Sequence, residues 1–183
     1  MQQTDLSIYN NHPYQPGGNA FKRLLWYYVN AFIINTAWLP FNSLKIGLLK
    51  LFGAQIGSGV IIKPRVNIKY PWHLRIGNYS WIGEGVWIDN LTTVTIGNNV
   101  CLSQGVMLQT GSHNYKKPAF DLIIGPIIIE DGVWVGCRAI INKGVTLGSH
   151  AILGSGSVAN KALEPYGIYQ GNPAIKIRDR IMQ

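Results

Sequence analysis

The sequence has few charged residues and, in particular, few acidic ones. Charged residues make up 13% of the 183-residue chain, and 8 Asp and Glu stand against 16 Lys and Arg, which gives a net charge of +8. This basic excess favours an anionic partner, such as a phosphorylated cofactor, a membrane surface or a nucleic acid. Because the cations are scattered and no nucleic-acid-binding motif occurs, we expect no nucleic-acid partner.

Cysteine and histidine are also scarce. The two cysteines, Cys101 and Cys137, form no CxxC or other metal-ligand spacing, which indicates a reducing compartment and no metal site. The polar residues 1–19 lack the charged-then-apolar order of a signal peptide. We therefore expect a cytoplasmic location, with a peripheral position at the inner face of the membrane as a variant of it.

No apolar run is long enough to cross a bilayer. The uncharged run Leu24–Leu39 has sixteen residues, whereas a span needs about 20. Apolar residues at three- and four-residue spacing predict a helix over 20–39 that ends before Pro40, and a second helix that ends near Phe52. Both helices are expected to pack on the rest of the chain or on a partner subunit; the alternative is a membrane contact through residues 20–52.

From Ile56 onward the chain repeats in units of six residues. The first residue of each unit is aliphatic: Ile56, Ile62, Ile68, Ile76, Ile82, Ile88, Ile96, Leu102, Leu108, Ile129, Val135, Ile141, Leu147, Leu153 and Ala159. The second is often Gly, which we expect to supply left-handed backbone at the turns. Three units make one triangular coil, so the repeat predicts an all-β solenoid of about five stacked coils.

Apart from two-residue bulges at Leu74–Arg75 and Val94–Thr95, the repeat has one long interruption, directly after the stretch Cys101–Tyr115. His113 stands at this break, and the excursion predicted over 114–128 follows it. Irregular chain on a regular scaffold tends to carry function, and the pKa of histidine suits a general base near neutral pH. The chain is thus predicted to contain an N-terminal arm and helical hairpin (1–53), the solenoid (54–164) and a C-terminal cap (165–183).

The chain resembles the hexapeptide-repeat acyltransferases. The segments FGAQIGSGV, YPWHLRIG, IGEGVWIDNL, CLSQGVML and TGSHNY are similar to the colanic-acid and exopolysaccharide O-acetyltransferase branch, and the segment from VWVGCRAII to GNPAIKI is similar to the acetyl-CoA half of the family. The resemblance implies a left-handed parallel β-helix, acetyl-CoA as the donor, and a homotrimer with active sites between subunits.

The resemblance also implies roles for individual residues. His113 matches the catalytic histidine, which would take a proton from the acceptor hydroxyl while that oxygen attacks the thioester directly. The positions that match the cofactor-binding residues are Trp134, Cys137, Ser155, Asn160, Lys161 and Arg178. From their place in neighbouring coils, five polar residues are expected to bind the acceptor: Glu84, Asp89, Asn90, Ser103 and Gln104.

We therefore predict an acetyl-CoA-dependent O-acetyltransferase that acts on a sugar hydroxyl of an exopolysaccharide or lipid-linked oligosaccharide precursor. Three alternatives remain open at this point. They are an acetyltransferase for a small molecule or an amino sugar, a non-enzymatic membrane-docking scaffold, and a metal enzyme of the γ-class carbonic anhydrase type. The last would need three converging histidines, and the four histidines here occupy unrelated positions.

Overall fold

The structure, a computed structural model, describes residues 3–183 as a helical N-terminal segment followed by a parallel β-solenoid with three flat faces. The first face contains β1 (Gln55–Ile56), β4 (Leu74–Ile76), β7 (Val94–Ile96), β12 (Ile127–Ile129) and β15 (Thr146–Leu147). The second contains β2 (Ile61–Ile62), β5 (Trp81–Ile82), β8 (Cys101–Leu102), β13 (Trp134–Val135), β16 (Ile152–Leu153), β18 (Gly167–Gly171) and the antiparallel β19 (Ala174–Asp179). The third contains β3 (Asn67–Ile68), β6 (Trp87–Asp89), β9 (Met107–Gln109), β14 (Ile140–Asn142) and β17 (Val158–Ala159).

The solenoid has about six turns, one more than the repeat predicts. Leu163 bridges to Leu147 on the first face, and β18 pairs with β16 on the second. The segment predicted to be only a cap therefore begins by adding a further layer. Its pairing depends on backbone hydrogen bonds, which do not require the six-residue pattern, so the repeat alone underestimates the number of turns.

The inward positions of the repeat form one continuous core. Every aliphatic residue at a first position, from Ile56 to Ala159, is buried. Each large aliphatic side chain removed from water contributes roughly 1.5–3 kcal/mol, and a coil can bury this surface only against its neighbours. The regular spacing of the repeat thus determines both the strands and the stacking.

The glycines at the second position have a different reason from the one that the sequence suggested. They are absent from the residues with positive φ; a Cβ added to Gly77 would lie 2.6 Å from the carbonyl carbon of Gly97 in the next coil. The left-handed residues come two positions later, at Gly85 (φ 69°) and also at Arg65 and Tyr79. The second position is therefore restricted by the close approach of the next coil rather than by the backbone angle.

Three edges separate the faces, and two of them are important below. The edge between the second and third faces, which we call the Cys137 edge, comprises the short turns 63–66, 83–86, 103–106, 136–139 and 154–157. The edge between the third and first faces, which we call the His113 edge, comprises 69–73, 90–93, 110–126, 143–145 and 160–162. The turns of the Cys137 edge are uniform in length, whereas the His113 edge contains the long excursion.

Two helices cover the first coil. Helix α1 (Ala20–Val29) continues into a π-helical turn (Asn30–Ile34), and helix α2 (Asn42–Leu51) follows. The first helical segment ends at Ile34, earlier than predicted, and within it the Asn30 side chain bonds to Asn67 and to the backbone of Ile68 on the solenoid. Within residues 3–183, no helix combines the length and apolar character needed to cross a membrane.

The helices contact the solenoid through a narrow set of side chains. Trp26, Ile34 and Leu49 are buried, and the Trp26 indole donates a hydrogen bond to the Ile68 carbonyl (2.9 Å). Most of the apolar stripe that predicts the first helix lies outside this contact and is exposed: Phe21, Leu24, Leu25, Tyr28 and Phe32. The segment is apolar on nearly all sides, so its pattern predicts a helix without showing which face is buried.

The segment that precedes the helices, residues 3–16, crosses the His113 edge as an extended arm with a single 3-10 turn, Leu6–Ile8. We call it the N-terminal arm. Its last residue, Pro16, accepts a hydrogen bond from the indole of Trp72 (2.8 Å). None of its residues belongs to the buried core, which begins at Trp26.

Candidate active site

The excursion from the His113 edge is a β-hairpin. Strand β10 (Gly111–His113) pairs in antiparallel fashion with β11 (Leu122–Ile124), and His113 lies opposite Leu122. The eight residues between the strands form the loop, in which Lys117 and Asp121 make an ion pair of 3.0 Å. The hairpin holds His113 at its end near the loop, away from the regular coils.

The main chain of this loop fixes the orientation of His113. Nδ1 lies 2.9 Å from the backbone carbonyl oxygen of Phe120. A carbonyl can only accept a hydrogen bond, so Nδ1 carries the proton, and Nε2 of the neutral ring is the basic nitrogen. The Phe120 ring also stacks on the imidazole, with centroids 4.4 Å apart and planes at 10°.

His113 lines a cavity of about 360 Å³ together with an acidic side chain. This side chain is Asp89, which lies at the end of β6, and its oxygen Oδ1 is 3.0 Å from the ammonium of Lys69. The contact is an ion pair without hydrogen-bond geometry, and Oδ1 has no hydrogen-bond partner among residues 3–183. The cavity is therefore lined by a base, a carboxylate and a cation.

Asn90, which follows Asp89 in the sequence and was also predicted to bind the acceptor, has a different position. It is fully buried, and its amide accepts from the backbone N–H of Tyr70 (2.9 Å) and donates to the Tyr70 carbonyl (2.6 Å). Both ends of the amide are thus used to hold the turn of the preceding coil. The structure brings Asp89 to the His113 cavity and directs Asn90 into the protein.

The remaining predicted acceptor residues lie on or beside the Cys137 edge. Glu84 and Gln104 line an open groove of about 780 Å³ there, and Glu84 is 3.8 Å from Arg65 in an exposed ion pair. Ser103, at the end of β8, accepts a hydrogen bond from the Trp134 indole (3.0 Å). The structure does not place these three residues in the cavity of His113 within one chain.

The residues predicted to bind the cofactor are divided between the edges. Cys137 and Ser155 line the groove of the Cys137 edge, and Cys137 Sγ donates a hydrogen bond to Gln104 Oε1 (3.2 Å). Asn160 and Lys161 lie exposed on the His113 edge, where Asn160 accepts a hydrogen bond from Asn142.

Two further cofactor candidates lie on the second face. Trp134 is on β13 and half exposed, and Arg178 is exposed on β19. A single chain therefore does not gather the predicted cofactor residues into one pocket.

Several residues of the cavity are absent from the sequence prediction. Lys69 and Tyr70 line it from the preceding coil, and Tyr9, Asn11 and Tyr14 line it from the N-terminal arm. Lys69 could have been predicted from the sequence, because it occupies the same position of the repeat as Asp89, one coil earlier. The arm residues could not have been predicted, since nothing in a segment without a repeat indicates where that segment packs.

Among residues 3–183, no three His, Cys, Asp or Glu side chains are close enough together to hold a metal ion. Histidines 73, 113 and 150 make separate contacts: with Pro16, with Phe120 and with Ser149, respectively.

Comparison with known proteins places this geometry in a family. The family model for the bacterial transferase hexapeptide (six repeats) matches residues 126–161. An Escherichia coli (strain K12) protein named "Putative colanic acid biosynthesis acetyltransferase WcaF" is 40% identical over 167 residues, which cover 90% of this chain and 91% of that protein. The chain belongs to the hexapeptide-repeat acetyltransferases. As an acetyltransferase, it is an enzyme, and the scaffold alternative is set aside.

Other members of the hexapeptide-repeat acetyltransferases are similar to this chain in sequence and in fold. The galactoside O-acetyltransferase of Escherichia coli (strain K12) is 32% identical, with 72% of this chain and 66% of that protein covered. A Vibrio cholerae O1 biovar eltor hexapeptide-repeat acetyltransferase, solved in complex with acetyl coenzyme A, superposes with a TM-score of 0.80 at 26% identity, with 88% of each chain covered. The solenoid is the left-handed parallel β-helix of these enzymes.

Proposed function

We propose that this enzyme transfers an acetyl group from acetyl-CoA to a sugar hydroxyl of an exopolysaccharide precursor of the colanic-acid type. The observation that carries the proposal is the orientation of His113, whose Nδ1 is bound to the Phe120 carbonyl at the cavity that also contains Asp89. This arrangement leaves Nε2 as the base. The names of the relatives, a colanic acid biosynthesis acetyltransferase and a galactoside O-acetyltransferase, support the substrate class.

In the proposed reaction, His113 Nε2 takes the proton of the acceptor hydroxyl as that oxygen forms a bond to the acetyl carbonyl carbon. The donor supplies a thioester, whose carbon–sulfur bond breaks when the carbonyl re-forms. The imidazolium then returns its proton to the departing thiolate. The Phe120 carbonyl, which accepts from Nδ1–H, stabilises this imidazolium. No acyl-enzyme is needed, and burial raises the pKa of the Cys101 thiol, which makes it a poor nucleophile.

Asp89 is the group that we expect to orient the acceptor. Asp89 lines the cavity of His113, and a carboxylate accepts readily from a sugar hydroxyl. The cavity volume of about 360 Å³ lies within the usual range of small-molecule sites. A second groove of about 670 Å³ shares Lys69, Tyr70 and Asp89 with it and extends along helix α1. Two neighbouring sites with shared walls favour an extended, oligosaccharide acceptor over a compact free molecule.

The division of the cofactor residues supports a homotrimer with active sites between subunits. Cys137 and Ser155 lie on one edge of the prism, whereas His113 and Lys161 lie on another. The two edges of one chain cannot bind the same acetyl group. The Cys137 edge of one subunit can, however, face the His113 edge of a neighbouring subunit. In this arrangement, the groove of the Cys137 edge binds the donor, and Lys161 and Arg178 are suited to its phosphates.

The exposed helices favour a peripheral contact with an anionic membrane surface. Between residues 6 and 83 there is no Asp or Glu, and the two helices carry three cations outside the core, Lys22, Arg23 and Lys50. Beside them, large apolar side chains of the helical segment are exposed: Phe21, Leu24, Leu25, Tyr27, Tyr28, Phe32, Trp38, Phe41, Leu44 and Leu51. Apolar and aromatic side chains next to basic ones are typical of interfacial helices.

Sedimentation with phosphatidylglycerol vesicles tests the membrane contact. We expect binding that weakens in Leu24→Ser/Phe32→Ser and is lost in phosphatidylcholine vesicles. Equal binding of the double variant, or its conversion to a smaller oligomer by analytical ultracentrifugation, would contradict the membrane contact; the second result would assign this face to a partner subunit.

Deletion of the gene tests the proposed function. We expect the surface polysaccharide of the deletion strain to lack one base-labile O-acetyl signal in its NMR spectrum, and the wild-type gene to restore it. Complementation with His113→Ala should fail, whereas complementation with His150→Ala should succeed. Unchanged O-acetylation in the deletion strain, or loss of an N-acetyl signal instead, would refute the O-acetyl transfer proposed here.

A further inference from the structure

The N-terminal arm is attached to the active-site hairpin and to the coil below it. The backbone N–H of Asp5 donates to the carbonyl of Pro118 in the loop (2.9 Å). The hydroxyl of Tyr14 donates to the carbonyl of Leu91 on the His113 edge (3.1 Å). Burial raises the pKa of Tyr14, with Tyr70 and Asp89 adding to the effect, so this hydroxyl keeps its proton and remains a donor. The arm thus connects the two parts of the chain that enclose the cavity.

One residue of the arm contacts the catalytic imidazole itself. The ring centroid of Tyr9 lies 5.7 Å from that of His113, at an interplanar angle of 57°. Phe120 stacks on the same imidazole at 4.4 Å and also supplies the carbonyl that accepts from Nδ1. The ring of His113 is therefore in contact with two aromatic side chains, one from the loop and one from the arm.

The arm also forms a wall of the cavity. Tyr9, Asn11 and Tyr14 line it together with Asp89 and His113. Tyr9 is half-buried, whereas its neighbour Ile8 is 56% exposed. The contacts of the arm thus concentrate on the site rather than on the solenoid core, to which no arm residue contributes.

We propose that the N-terminal arm is a functional part of the active site, in which Tyr9 is a positioning residue that holds the His113 imidazole against Phe120. This inference rests on the proposed function, because it takes His113 as the base. The side chain of Tyr9 acts through its ring and not through its hydroxyl. A base whose ring can turn spends less time aligned with the acceptor, and small misalignments lower catalysis strongly.

The test uses Tyr9→Ala in the full-length protein, with Tyr9→Phe and Ile8→Ala as matched controls. The assay measures coenzyme A release from acetyl-CoA with polysaccharide extracted from the deletion strain as the acceptor. We expect Tyr9→Ala to lower kcat roughly tenfold without changing the KM for acetyl-CoA or the melting temperature. Both controls should stay within about twofold of wild type, because Tyr9→Phe keeps the ring and Ile8 is exposed and does not line the cavity.

A second measurement reports on the imidazole without using activity. Diethyl pyrocarbonate modifies accessible histidines, and peptide mass spectrometry gives the rate at His113 separately from the other histidines. We expect this rate to rise several-fold in Tyr9→Ala and to stay unchanged in Tyr9→Phe and Ile8→Ala. The rate at His150, which stacks on Tyr166 at 4.9 Å, should be the same in all variants.

The outcomes separate this inference from the proposed function. If Tyr9→Ala has wild-type kcat while His113→Ala is inactive, the arm does not position the base. This result would refute the inference about the arm and leave the proposed function intact. An unchanged modification rate at His113 would also overturn it. If His113→Ala itself is fully active, the proposed function fails, and the inference fails with it.

Discussion

The two edges of the solenoid arise from the same repeat and yet differ in what they can do. The Cys137 edge consists of uniform short turns, and its polar side chains, such as Glu84 and Arg65, are exposed. The His113 edge contains the hairpin and a buried amide at Asn90, and its cavity is also lined by the partly buried carboxylate of Asp89 at the end of β6. A regular edge offers a long open groove, whereas an interrupted edge can hold side chains away from water, and acid–base chemistry needs the second arrangement.

The strongest test of this difference between the two edges is to remove the base from the His113 edge. We expect His113→Ala to lower kcat by roughly 10²–10⁴, which is the usual contribution of a general base. The melting temperature should stay unchanged, because the His113 side chain lies outside the core cluster. His150→Ala is the matched control, since His150 lies in a regular turn and stacks on Tyr166. A similar loss in both variants would show that histidines matter here for folding and not for catalysis.

The core of the solenoid could be predicted from the sequence because one period determines it. Each aliphatic residue at a first position, such as Leu108 or Ile141, points inward in the structure. The position of His113 outside the coils followed from the same pattern, as the place where the period fails. Information of this kind is local and repeats along the chain, so a single sequence is sufficient to show it.

The surroundings of the site could not be predicted, because they depend on contacts between segments without a repeat. Phe120 orients His113 through a carbonyl, and every residue has a carbonyl. Asp89 and Asn90 are adjacent in sequence, yet Asp89 lines the cavity and Asn90 is buried against the turn of Tyr70. The helices posed a related problem: Trp26 faces the solenoid and Phe32 faces outward, although both belong to one apolar run.

A smaller effect is expected when the carboxylate near each edge is replaced by its amide, which tests which edge binds the acceptor. We expect Asp89→Asn to raise the KM for the acceptor about tenfold, because a hydrogen bond to a charged group contributes roughly 1.5 kcal/mol or more. Glu84→Gln should leave it within about twofold, since Glu84 is more than half exposed and its ion pair with Arg65 is long, at 3.8 Å. Steady-state kinetics with varied acceptor measure both. A larger effect of Glu84→Gln would move the acceptor site to the Cys137 edge.

The smallest expected effect concerns two lysines, one near each edge. Lys69 on the His113 edge is partly exposed and lies 3.0 Å from a carboxylate. Lys45 of helix α2 is fully buried, and its ammonium donates a hydrogen bond to the carbonyl of Lys63 (3.3 Å), where the Cys137 edge begins. Desolvation lowers the pKa of Lys45. Lys45 therefore decreases the free energy of unfolding while it is charged, and Lys69 does not.

Lys45→Met should accordingly stabilise the fold by about 1 kcal/mol at pH 7, because burying an unpaired charge costs free energy. The sign of the pH dependence follows from the lowered pKa. Below that pKa, Lys45 is protonated in both states and the gain from Met is complete. Between the lowered pKa and the usual value of 10.5, the unfolded state binds more protons, so wild-type stability rises with pH and the gain shrinks. Urea unfolding at pH 7 and at pH 10 measures the change. Lys69→Met should show no such gain, and destabilisation by Lys45→Met at both pH values would mean that the hydrogen bond to Lys63 outweighs the desolvation of the ammonium.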